Sequence, residues 1–557
     1  MGGRYTVSLI EVKGFDEDKY SYSFFRELAA GVSQLFDSWK STSELSAEKV
    51  PFWGRKADRV RPLKRELRPV VRYRRIQVAP RASSSWSDEE AFLFARIAIM
   101  LDINLIREKP EWVKEQVAKR NDKAPINEIL AGDERRREIL QEVEALRRQR
   151  NDASKQIGQL MGPLKKLEAA LARAEREGEG ETAVNGLRTQ LAEAEAKIEA
   201  AKNAPRLIGE RIAVLDEELR EVEATLQTNL SWVPNMPHES TPVGPDETYN
   251  VIHEPQGAPM PAFDFEPKPH WDLGPALGII DFERGVKLSG SRFYVLRGWG
   301  ARLQRAIIQY MLNTHVNDHG YMEMGLPYMV RSQIFEGAGQ LPKFFDNIYR
   351  DAEEDFMFLG TAEIALTNIH RDEILDEADL PLRYVAHTPC FRREKMSAGK
   401  DVRGIKRGHQ FDKVEMYQFA HPDKSYEVIE QMRQHAMDIC DAFGFRYRVL
   451  ELASGDIGFA MTKTYDIEVW AAGCQEWLEV SSISNAEDFQ ARRANIRYRP
   501  ADGGKLRFPH TLNASGLALP RVMIAIIENN QQADGSIVVP EVLRPYLGGI
   551  DVIRGAK

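Results

Sequence analysis

Two long stretches of the chain carry an apolar pattern with a period of seven residues. Apolar positions recur at alternating steps of four and three over about residues 133–177 and 181–229, and Gly178-Glu179-Gly180 separates the two stretches. Sustained heptads predict coiled-coil helices, and the glycine turn predicts that they fold back on each other as an antiparallel hairpin. Each helix of about 45 residues would be roughly 70 Å long. Most coiled coils are spacers or dimerisation elements, so this hairpin, here called the arm, does not by itself assign a function.

The chain beyond the arm has a different pattern. Residues 231–268 are rich in proline and predict a linker. From residue 269 onwards helical and strand periodicities mix, with a long helix predicted over 293–319 and a strand over 325–330, which indicates an α+β fold. Near the C-terminus we expect Ser515-Gly516 to end a turn. A buried helix should follow, because RVMIAIIEN is apolar on nearly all sides and Pro520 suits a first helical position.

Composition narrows the possible classes of protein. The three cysteines form no CxxC pair, so we predict buried, unreactive thiols and a reducing, cytoplasmic setting rather than disulfides or a thiol-rich zinc site. No apolar run is long enough to span a bilayer, so no membrane partner is expected. The net charge of −8 argues against nucleic-acid binding unless positive charge is concentrated locally. Two such concentrations exist, in the loop at 395–407 and in the arm at Arg147, Arg148 and Arg150.

Residues 1–99 are the least informative part of the chain. Arg55–Arg81 is strongly basic and interrupted by prolines, but the early acids Glu11 and Asp16 do not suit a mitochondrial presequence. We expect either an upstream extension of unknown role or a start codon placed too early. A nucleic-acid-binding appendage is the alternative.

The richest motif is FRREKMSAGKDVRGIKRGHQFDKVE, from Phe391 to Glu415. It places Arg392 and Glu394 before a basic, glycine-containing loop, and Phe411 and Glu415 after it. Arginine can clamp a phosphate in bidentate geometry, an aromatic ring offers a flat face to a base, and a carboxylate can hold an ammonium or a hydroxyl group. The motif therefore suits a site that holds a nucleoside triphosphate beside an amino acid. A basic surface hairpin is the simpler interpretation of this stretch alone.

This stretch resembles the second signature motif of class II aminoacyl-tRNA synthetases, in the form found in seryl-tRNA synthetases. Three further segments match the same family in the same order: TAE at 361–363, EVSSISNAEDFQARR at 479–493 and LNASGLALPR at 512–521. The match extends from about Met100 to the C-terminus. It implies a tRNA-binding domain with the arm at 100–230, a linker at 231–268, and a class II catalytic domain at 269–557 built as an antiparallel sheet flanked by helices. It also implies a homodimer formed through the first motif, near 293–330.

The family resemblance implies a reaction in which L-serine and ATP form seryl-adenylate, and serine then passes to the 3′ end of tRNA-Ser. Whether tRNA-Sec is a second acceptor stays open. Attack of a carboxylate on the α-phosphate needs positioning and charge stabilisation rather than proton transfer. In the family the coiled coil lies along the long variable arm of the tRNA, so Arg147, Arg148 and Arg150 are candidate phosphate contacts; a solvated helix face is the alternative.

The residues that match the family's functional positions fall into four groups. Those implied in catalysis are Arg392 and Arg521. Those implied in ATP binding are Arg392, Arg393, Glu394, Phe411, Glu479, Val480, Ser481, Ser482 and Arg521, with Phe411 and Arg521 on opposite faces of the adenine. Those implied in serine binding are Thr361, Glu363, Arg392, Glu415 and Ser515. Glu479 and Ser482 are implied as ligands of Mg²⁺, which prefers hard oxygen donors.

The chain departs from the family pattern at two positions, and three other functions are alternatives. Ala514 and Pro520 stand where the family usually has glycine. Neither change removes a functional group, but we expect Pro520 to alter how Arg521 is presented. A synthetase-like ligase that charges a carrier protein would lack the arm and use a cysteine-containing zinc site. A non-catalytic tRNA-binding or scaffold protein would have lost Arg392, Glu479 or Arg521. A relative that activates another small amino acid is disfavoured by the TAE segment and Glu415.

Overall fold

The computed structural model describes residues 102–395 and 403–555, so the extension predicted over 1–99 and the loop tip at 396–402 lie outside it. Within the described part, no helix combines the length and apolar character that crossing a membrane requires. The helices are α1 Ile103–Glu108, α2 Pro110–Lys119, α3 Ile126–Glu177, α4 Glu181–Ser231, α5 His270–Ala276, α6 Phe282–Ser289, α7 Trp299–Asn317, α8 Ser332–Gly337, α9 Glu363–Thr367, α10 Ser425–Ala442, α11 Phe489–Arg493 and α12 Leu519–Asn529.

Helices α3 and α4 form the predicted arm. Helix α3 has 52 residues and begins at Ile126, earlier than the heptads indicated, and α4 has 51 residues. Gly178 ends α3 in the left-handed conformation with φ of 69°, which glycine adopts without strain. Ile139 and Val143 of α3 pack against Ile212 and other apolar residues of α4 in a buried seam. The coiled-coil hairpin is thus confirmed.

The chain beyond the arm is organised around one nine-stranded sheet. Its strands are β1 Val251–Ile252, β2 Gln256–Gly257, β3 Met322–Glu323, β4 Leu382–Phe391, β5 Gln410–Ala420, β6 Arg446–Glu451, β7 Lys463–Ala471, β8 Glu476–Glu487 and β9 His510–Ala518. They lie in the order β1-β6-β7-β8-β9-β5-β4-β3, with β2 also on β6, and all pairs except β3–β4 are antiparallel. Four two-stranded pairs complete the described β-structure: 280–281 with 295–296, 329–330 with 357–358, 374–376 with 497–499, and 537–538 with 552–553.

The two faces of the sheet have different environments because side chains alternate along a strand. On β5, Val414 and Met416 point into the main core, where helices α7, α10 and α12 cover the sheet. Lys413 and Glu415, which alternate with them along the strand, therefore point to the opposite face. The α+β fold, with a helical arm and an antiparallel sheet flanked by helices, is confirmed.

Three local predictions need correction. The helix predicted over 293–319 is shorter, Trp299–Asn317, and only Met329–Val330 of the strand predicted at 325–330 is extended. Ser515-Gly516 does not end a turn but lies inside β9. The glycine is needed for close packing instead, because a Cβ atom on Gly516 would lie 2.6 Å from Nε2 of His315. Helix α12 begins at Leu519, so Pro520 is its second residue, and the helix is buried as expected.

Candidate active site

A cavity of about 790 Å³ opens on the face of the sheet opposite the main core. Segments that are far apart in sequence meet in its wall. The predicted residues that line it are Thr361, Glu363, Arg392, Glu394, Phe411, Glu479, Ser482, Ser515 and Arg521. The four ordered motifs are therefore brought together at one place.

A β-bulge explains how Glu479 and Ser482, three residues apart, reach the same face. In the pairing of β7 with β8, Ile467 lies opposite Ser481 but Glu468 lies opposite Glu479, so Val480 is the extra residue. Val480 and Ile483 both point into the main core. The extra residue shifts the alternation by one position and turns both Glu479 and Ser482 towards the cavity.

At one end of the cavity the wall includes Thr361, Lys413 and Asn513. Directly behind them lies Glu415, a carboxylate with 0% exposure that does not itself line the cavity. Thr361 Oγ1 donates to Glu415 Oε2 at 3.3 Å, and Asn513 Nδ2 donates to Oε1 at 3.1 Å. Lys413, two residues away on the same face of β5, forms an ion pair with Glu415. A buried charge needs such partners, and here they come from three separate segments. Neither Lys413 nor Asn513 was predicted; the position of Lys413, two residues before Glu415 in a strand, was the available signal.

Glu363 is the second carboxyl group at this end. It accepts a hydrogen bond from Gln490 Nε2 at 2.7 Å. Burial, reinforced by the negative charge of Glu415, raises the pKa of Glu363 from its ordinary value to about 7. Of these two neighbouring carboxyl groups, Glu415 is paired with a lysine, whereas Glu363 is mostly protonated below about pH 7.

An arginine-rich end of the cavity adjoins the end that holds Glu363. Arg392 directly follows β4; its Nε donates to the carbonyl of Gly360 at 3.1 Å, and its guanidinium lies 5.2 Å from the centre of the Phe411 ring. Glu394 adopts a φ of 51°, unusual for a residue with a side chain, and accepts from Arg407 Nη1 at 3.1 Å. Arg521 donates from Nη1 to both the carbonyl and the carboxylate of Glu479, at 2.7 and 3.1 Å.

Asp466 is a candidate functional residue that the sequence motifs missed. It lies directly opposite Ser482 in the β7–β8 pairing and lines the cavity beside Glu479. Its Oδ1 has no hydrogen-bond partner among the residues that the structure describes. Burial and the nearby charge of Glu479 raise the pKa of Asp466 well above its ordinary value. The carboxylates of Asp466 and Glu479 and the hydroxyl of Ser482 are the kind of oxygen ligands that a divalent cation prefers, and Asp466 Oδ1 lacks a partner within the described part of the chain. The alternation Thr464, Asp466, Glu468 along a strand was the signal in the sequence.

Four predicted residues do not line the cavity formed by the described residues: Glu415, which lies behind the wall, and Arg393, Val480 and Ser481. Val480 is buried in the main core, and Ser481 Oγ donates to the carbonyl of Ser515 at 2.6 Å. Arg393 uses its backbone N–H to bond the carbonyl of Asn347 at 3.0 Å. Any contact of Val480 or Ser481 with a ligand in the cavity would therefore have to come from the main chain.

No cysteine lines the cavity in the part of the chain that the structure describes. Cys390 and Cys440 are buried, as expected, but Cys474 is only half-buried. Its thiol lies near His270 and Glu528, and the ligand atoms of these three side chains fall within 4.8 Å of one another. None of the three lines the cavity wall in the described part of the chain.

Comparison with known proteins gives the same assignment along most of the chain. Residues 100–202 match the seryl-tRNA synthetase N-terminal domain, and residues 345–530 match the class II tRNA synthetase core domain (G, H, P, S and T). A serine–tRNA ligase of Roseiflexus castenholzii is 56% identical over 456 residues, covering 82% of this chain and 100% of that protein. The corresponding ligase of Chloroflexus aurantiacus is 51% identical over 455 residues, with the same coverage.

A solved structure extends this agreement to three dimensions. The seryl-tRNA synthetase from Pyrococcus horikoshii, complexed with ATP, superimposes with a TM-score of 0.70 at 36% identity, covering 82% of this chain and 100% of that one. A cytoplasmic serine–tRNA ligase of Naegleria fowleri with AMP gives 0.69 at 28% identity, covering 82% and 99%. With four ordered motifs in one cavity, a helical arm, and relatives this similar over their whole length, the chain belongs to the seryl-tRNA synthetase family.

Proposed function

We propose that the chain activates L-serine with ATP, forming seryl-adenylate and pyrophosphate, and transfers serine to the 3′ end of tRNA-Ser. The observation that carries this proposal is the meeting of arginines, an acidic cluster and Glu363 in one cavity, with the buried Glu415 held directly behind its wall. ATP as a substrate is in keeping with the Pyrococcus horikoshii relative, whose structure contains ATP.

The arginine-rich end supplies the electrostatics of activation. Arg392, oriented by the carbonyl of Gly360, would contact both the α-phosphate and the attacking carboxylate of serine. This contact brings the reactants together and offsets the charge that develops at phosphorus. Phe411 offers a face for the adenine ring, and Arg521 would leave Glu479 to cover its other face and reach the terminal phosphates. Glu394, held by Arg407, and the main chain of Val480 and Ser481 would contact the nucleotide; Arg393 keeps the role predicted from the family.

The acidic cluster fits magnesium. Glu479, Ser482 and Asp466 would hold Mg²⁺, whose charge would offset that of the triphosphate. The charge of Glu479 contributes to the raised pKa of Asp466, so a cation beside these two carboxylates would also offset their repulsion.

The carboxylate pair would select serine. The ammonium group would lie between Glu363 and Thr361, and Glu415 with Ser515 would bind the hydroxyl group. An amino acid without a hydroxyl would leave buried polar atoms unpaired, which costs about 1–3 kcal/mol for each. Alanine should therefore be rejected strongly.

The arm, the dimer and the domain scheme are parts of the same proposal. The arm would bind the variable arm of tRNA-Ser through Arg147, Arg148 and Arg150. Arg148 pairs with Glu144, and Arg147 lies 3.7 Å from Asp216. Exposed pairs of this kind contribute little and can exchange partners. Domains at 100–230 and 269–557 joined by a linker, a homodimer formed near 293–330, and a cytoplasmic location stay predictions.

Serine-dependent pyrophosphate exchange, assayed without tRNA, tests this proposal. Serine should support exchange, whereas alanine, glycine and threonine should support little. Arg392→Ala should reduce the rate by about 10³-fold, because it removes a contact made with the developing charge. Arg499→Ala, at an exposed position at the end of a two-stranded pair, is the matched control and should keep the rate of the unmodified protein. No exchange with any of the four amino acids would favour the scaffold alternative.

A further inference from the structure

A buried histidine outside the cavity contacts the basic loop that follows Arg392. His270 opens helix α5 and has 0% exposure. Its Nδ1 lies 2.7 Å from Oε1 of Glu528, and its Nε2 lies 3.1 Å from the backbone N of Ile405. Glu528 belongs to α12, the helix that carries Arg521, and Ile405 belongs to the part of the loop that returns to β5. The ring therefore connects two functional motifs.

The two contacts fix the tautomer of the ring. A backbone N–H can only donate, so Nε2 accepts and the ring proton is on Nδ1, from which it is donated to Glu528. Glu528 also accepts the backbone N–H groups of His270 and Cys474, each at 2.8 Å. Burial alone would raise the pKa of Glu528, but hydrogen bonds from His270 and Cys474 hold that pKa below its ordinary value. The carboxylate stays ionised and keeps the imidazole in one orientation.

The polar groups of His270, Cys474 and Glu528 already have hydrogen-bond partners, so these side chains do not require a metal ion. Burial and the charge of Glu528 raise the pKa of the Cys474 thiol, which donates to Glu528 Oε1 at 3.0 Å. Both ring nitrogens of His270 and both carboxylate oxygens of Glu528 have hydrogen-bond partners from the protein. A cation would have to displace the Nδ1 proton and the thiol proton.

The backbone next to this contact is specialised for it. Gly404 has a φ of 73°, and a Cβ atom there would lie 1.9 Å from Nε2 of His270, so only glycine allows the chain to approach the ring. Ile405 has 0% exposure and packs into the main core. Trp271, the neighbour of His270, lies 4.7 Å below the guanidinium of Arg403. The loop is thus held at its returning end by both polar and apolar contacts.

This held segment leads directly into the cavity. The carbonyl of Lys406, one residue after Ile405, accepts from Nε of Arg521 at 3.4 Å. Arg407, the next residue, donates to Glu394 at 3.1 Å. Arg521 and Glu394 are both proposed ATP contacts. A shift of Ile405 would therefore move two partners of the ATP-binding residues.

We propose that His270 is a positioning residue for ATP: its Nε2 holds the Ile405 N–H and so fixes the end of the basic loop against Arg521 and Glu394. Glu528 acts through His270 by fixing its tautomer. This inference rests on the proposed function, since it concerns the site at which seryl-adenylate would form.

Two substitutions separate the acceptor from the rest of the ring. His270→Gln places an amide oxygen near the position of Nε2 and keeps an acceptor for Ile405. His270→Asn places its amide near the position of Nδ1. This variant keeps a donor for Glu528 but has no acceptor for the Ile405 N–H. The KM values for ATP and serine in pyrophosphate exchange, the Tm, and amide hydrogen exchange of a peptide containing Ile405 are measured for both variants.

His270→Asn should raise the KM for ATP by about tenfold and leave the KM for serine within about twofold, while His270→Gln stays within about threefold for both. The Ile405 amide should lose protection from exchange only in the Asn variant. Equal losses in both variants with an equal fall in Tm would overturn the proposal, as would a protected Ile405 amide in His270→Asn. Stoichiometric zinc that is lost on Cys474→Ser would also overturn it. If the unmodified protein shows no pyrophosphate exchange, the proposed function is refuted instead. Hydrogen exchange of the Ile405 amide would then still show whether His270 holds the loop.

Discussion

The arm and the cavity both depend on charged residues, but they hold their charges differently. In the arm, Arg135 and Glu218 pair between helices with side chains 40% and 36% exposed, and an exposed pair of this kind contributes about 0–1 kcal/mol. Behind the cavity wall, Glu415 has 0% exposure and is held by groups from β5, β9 and the TAE segment. Removing one partner of such a buried charge typically costs about 3–5 kcal/mol. The arm should therefore tolerate single changes that the cavity does not.

Removing most of the arm should separate the two regions most clearly. Leu146 and Ile208 belong to the apolar cluster at its base, so residues 147–207 can be replaced by a short glycine-rich turn while that cluster is kept. The rate of serine-dependent pyrophosphate exchange should stay within about threefold of that of the unmodified protein. Charging of tRNA-Ser should fall by about 10³-fold or more, because the contacts of the arm with the tRNA phosphate backbone are lost. An equal fall in both reactions would mean that the arm supports the sheet rather than the tRNA.

Among single substitutions of a carboxylate, one in the acidic cluster should reduce pyrophosphate exchange the most. Glu479→Gln should reduce exchange by about 10²-fold and raise the Mg²⁺ concentration needed for half-maximal rate, since the site loses a charged ligand. Glu427→Gln is the matched control: this exposed carboxylate lies on α10, which covers the other face of the sheet, and the variant should remain within about threefold. Unchanged Mg²⁺ dependence in Glu479→Gln would refute the assignment of this ligand.

Glu363 gives the cavity a pH dependence that the arm lacks. With a pKa of about 7, its carboxyl group is mostly protonated at pH 6 and mostly ionised at pH 8. The ammonium group of serine binds the ionised form better. The KM for serine should therefore fall by about tenfold as the pH rises from 6 to 8 and level off above pH 8. The KM for ATP provides the internal control, and Glu363→Gln should have a flat profile. A flat profile in the unmodified protein would show that Glu363 does not titrate on serine binding.

The stability of the folded protein should change in the opposite direction. Between about pH 4.5 and 7 the unfolded chain carries an ionised Glu363 while the folded chain keeps it protonated, so the folded state binds more protons. Stability from this group is complete below pH 4.5 and is lost as the pH rises to 7, by about 3 kcal/mol. Chemical denaturation of Glu363→Gln should lack this decline; parallel curves for the two proteins would contradict the raised pKa.

The arm arginines should give the smallest effect. Replacing Arg147, Arg148 and Arg150 together with glutamine should raise the KM for tRNA-Ser by about fivefold at low salt, with a smaller difference at high salt. Exchange without tRNA is the control and should not change. An effect that is independent of salt would indicate a loss of helix packing rather than of phosphate contacts.

The two regions also differ in how far the sequence predicts them. The arm follows from a local period, so heptads were enough to place both helices and the turn at Gly178. The cavity was predicted as a set of ordered motifs, but not its geometry. The bulge at Val480 depends on the pairing of two strands, and the contact of His270 with Ile405 joins residues 135 positions apart. Gly516 was misinterpreted as part of a turn because its close neighbour, His315, is 201 positions away.

The most direct test of the central claim identifies the amino acid that the chain attaches to tRNA. The purified protein is incubated with ATP, Mg²⁺, a mixture of the twenty amino acids and transcribed tRNA-Ser, and the 3′-terminal aminoacyl-adenosine is released by ribonuclease and analysed by mass spectrometry. The account predicts seryl-adenosine as the main product, lost with Arg392→Ala. A different aminoacyl-adenosine, or none from a protein that still binds the tRNA, would contradict it.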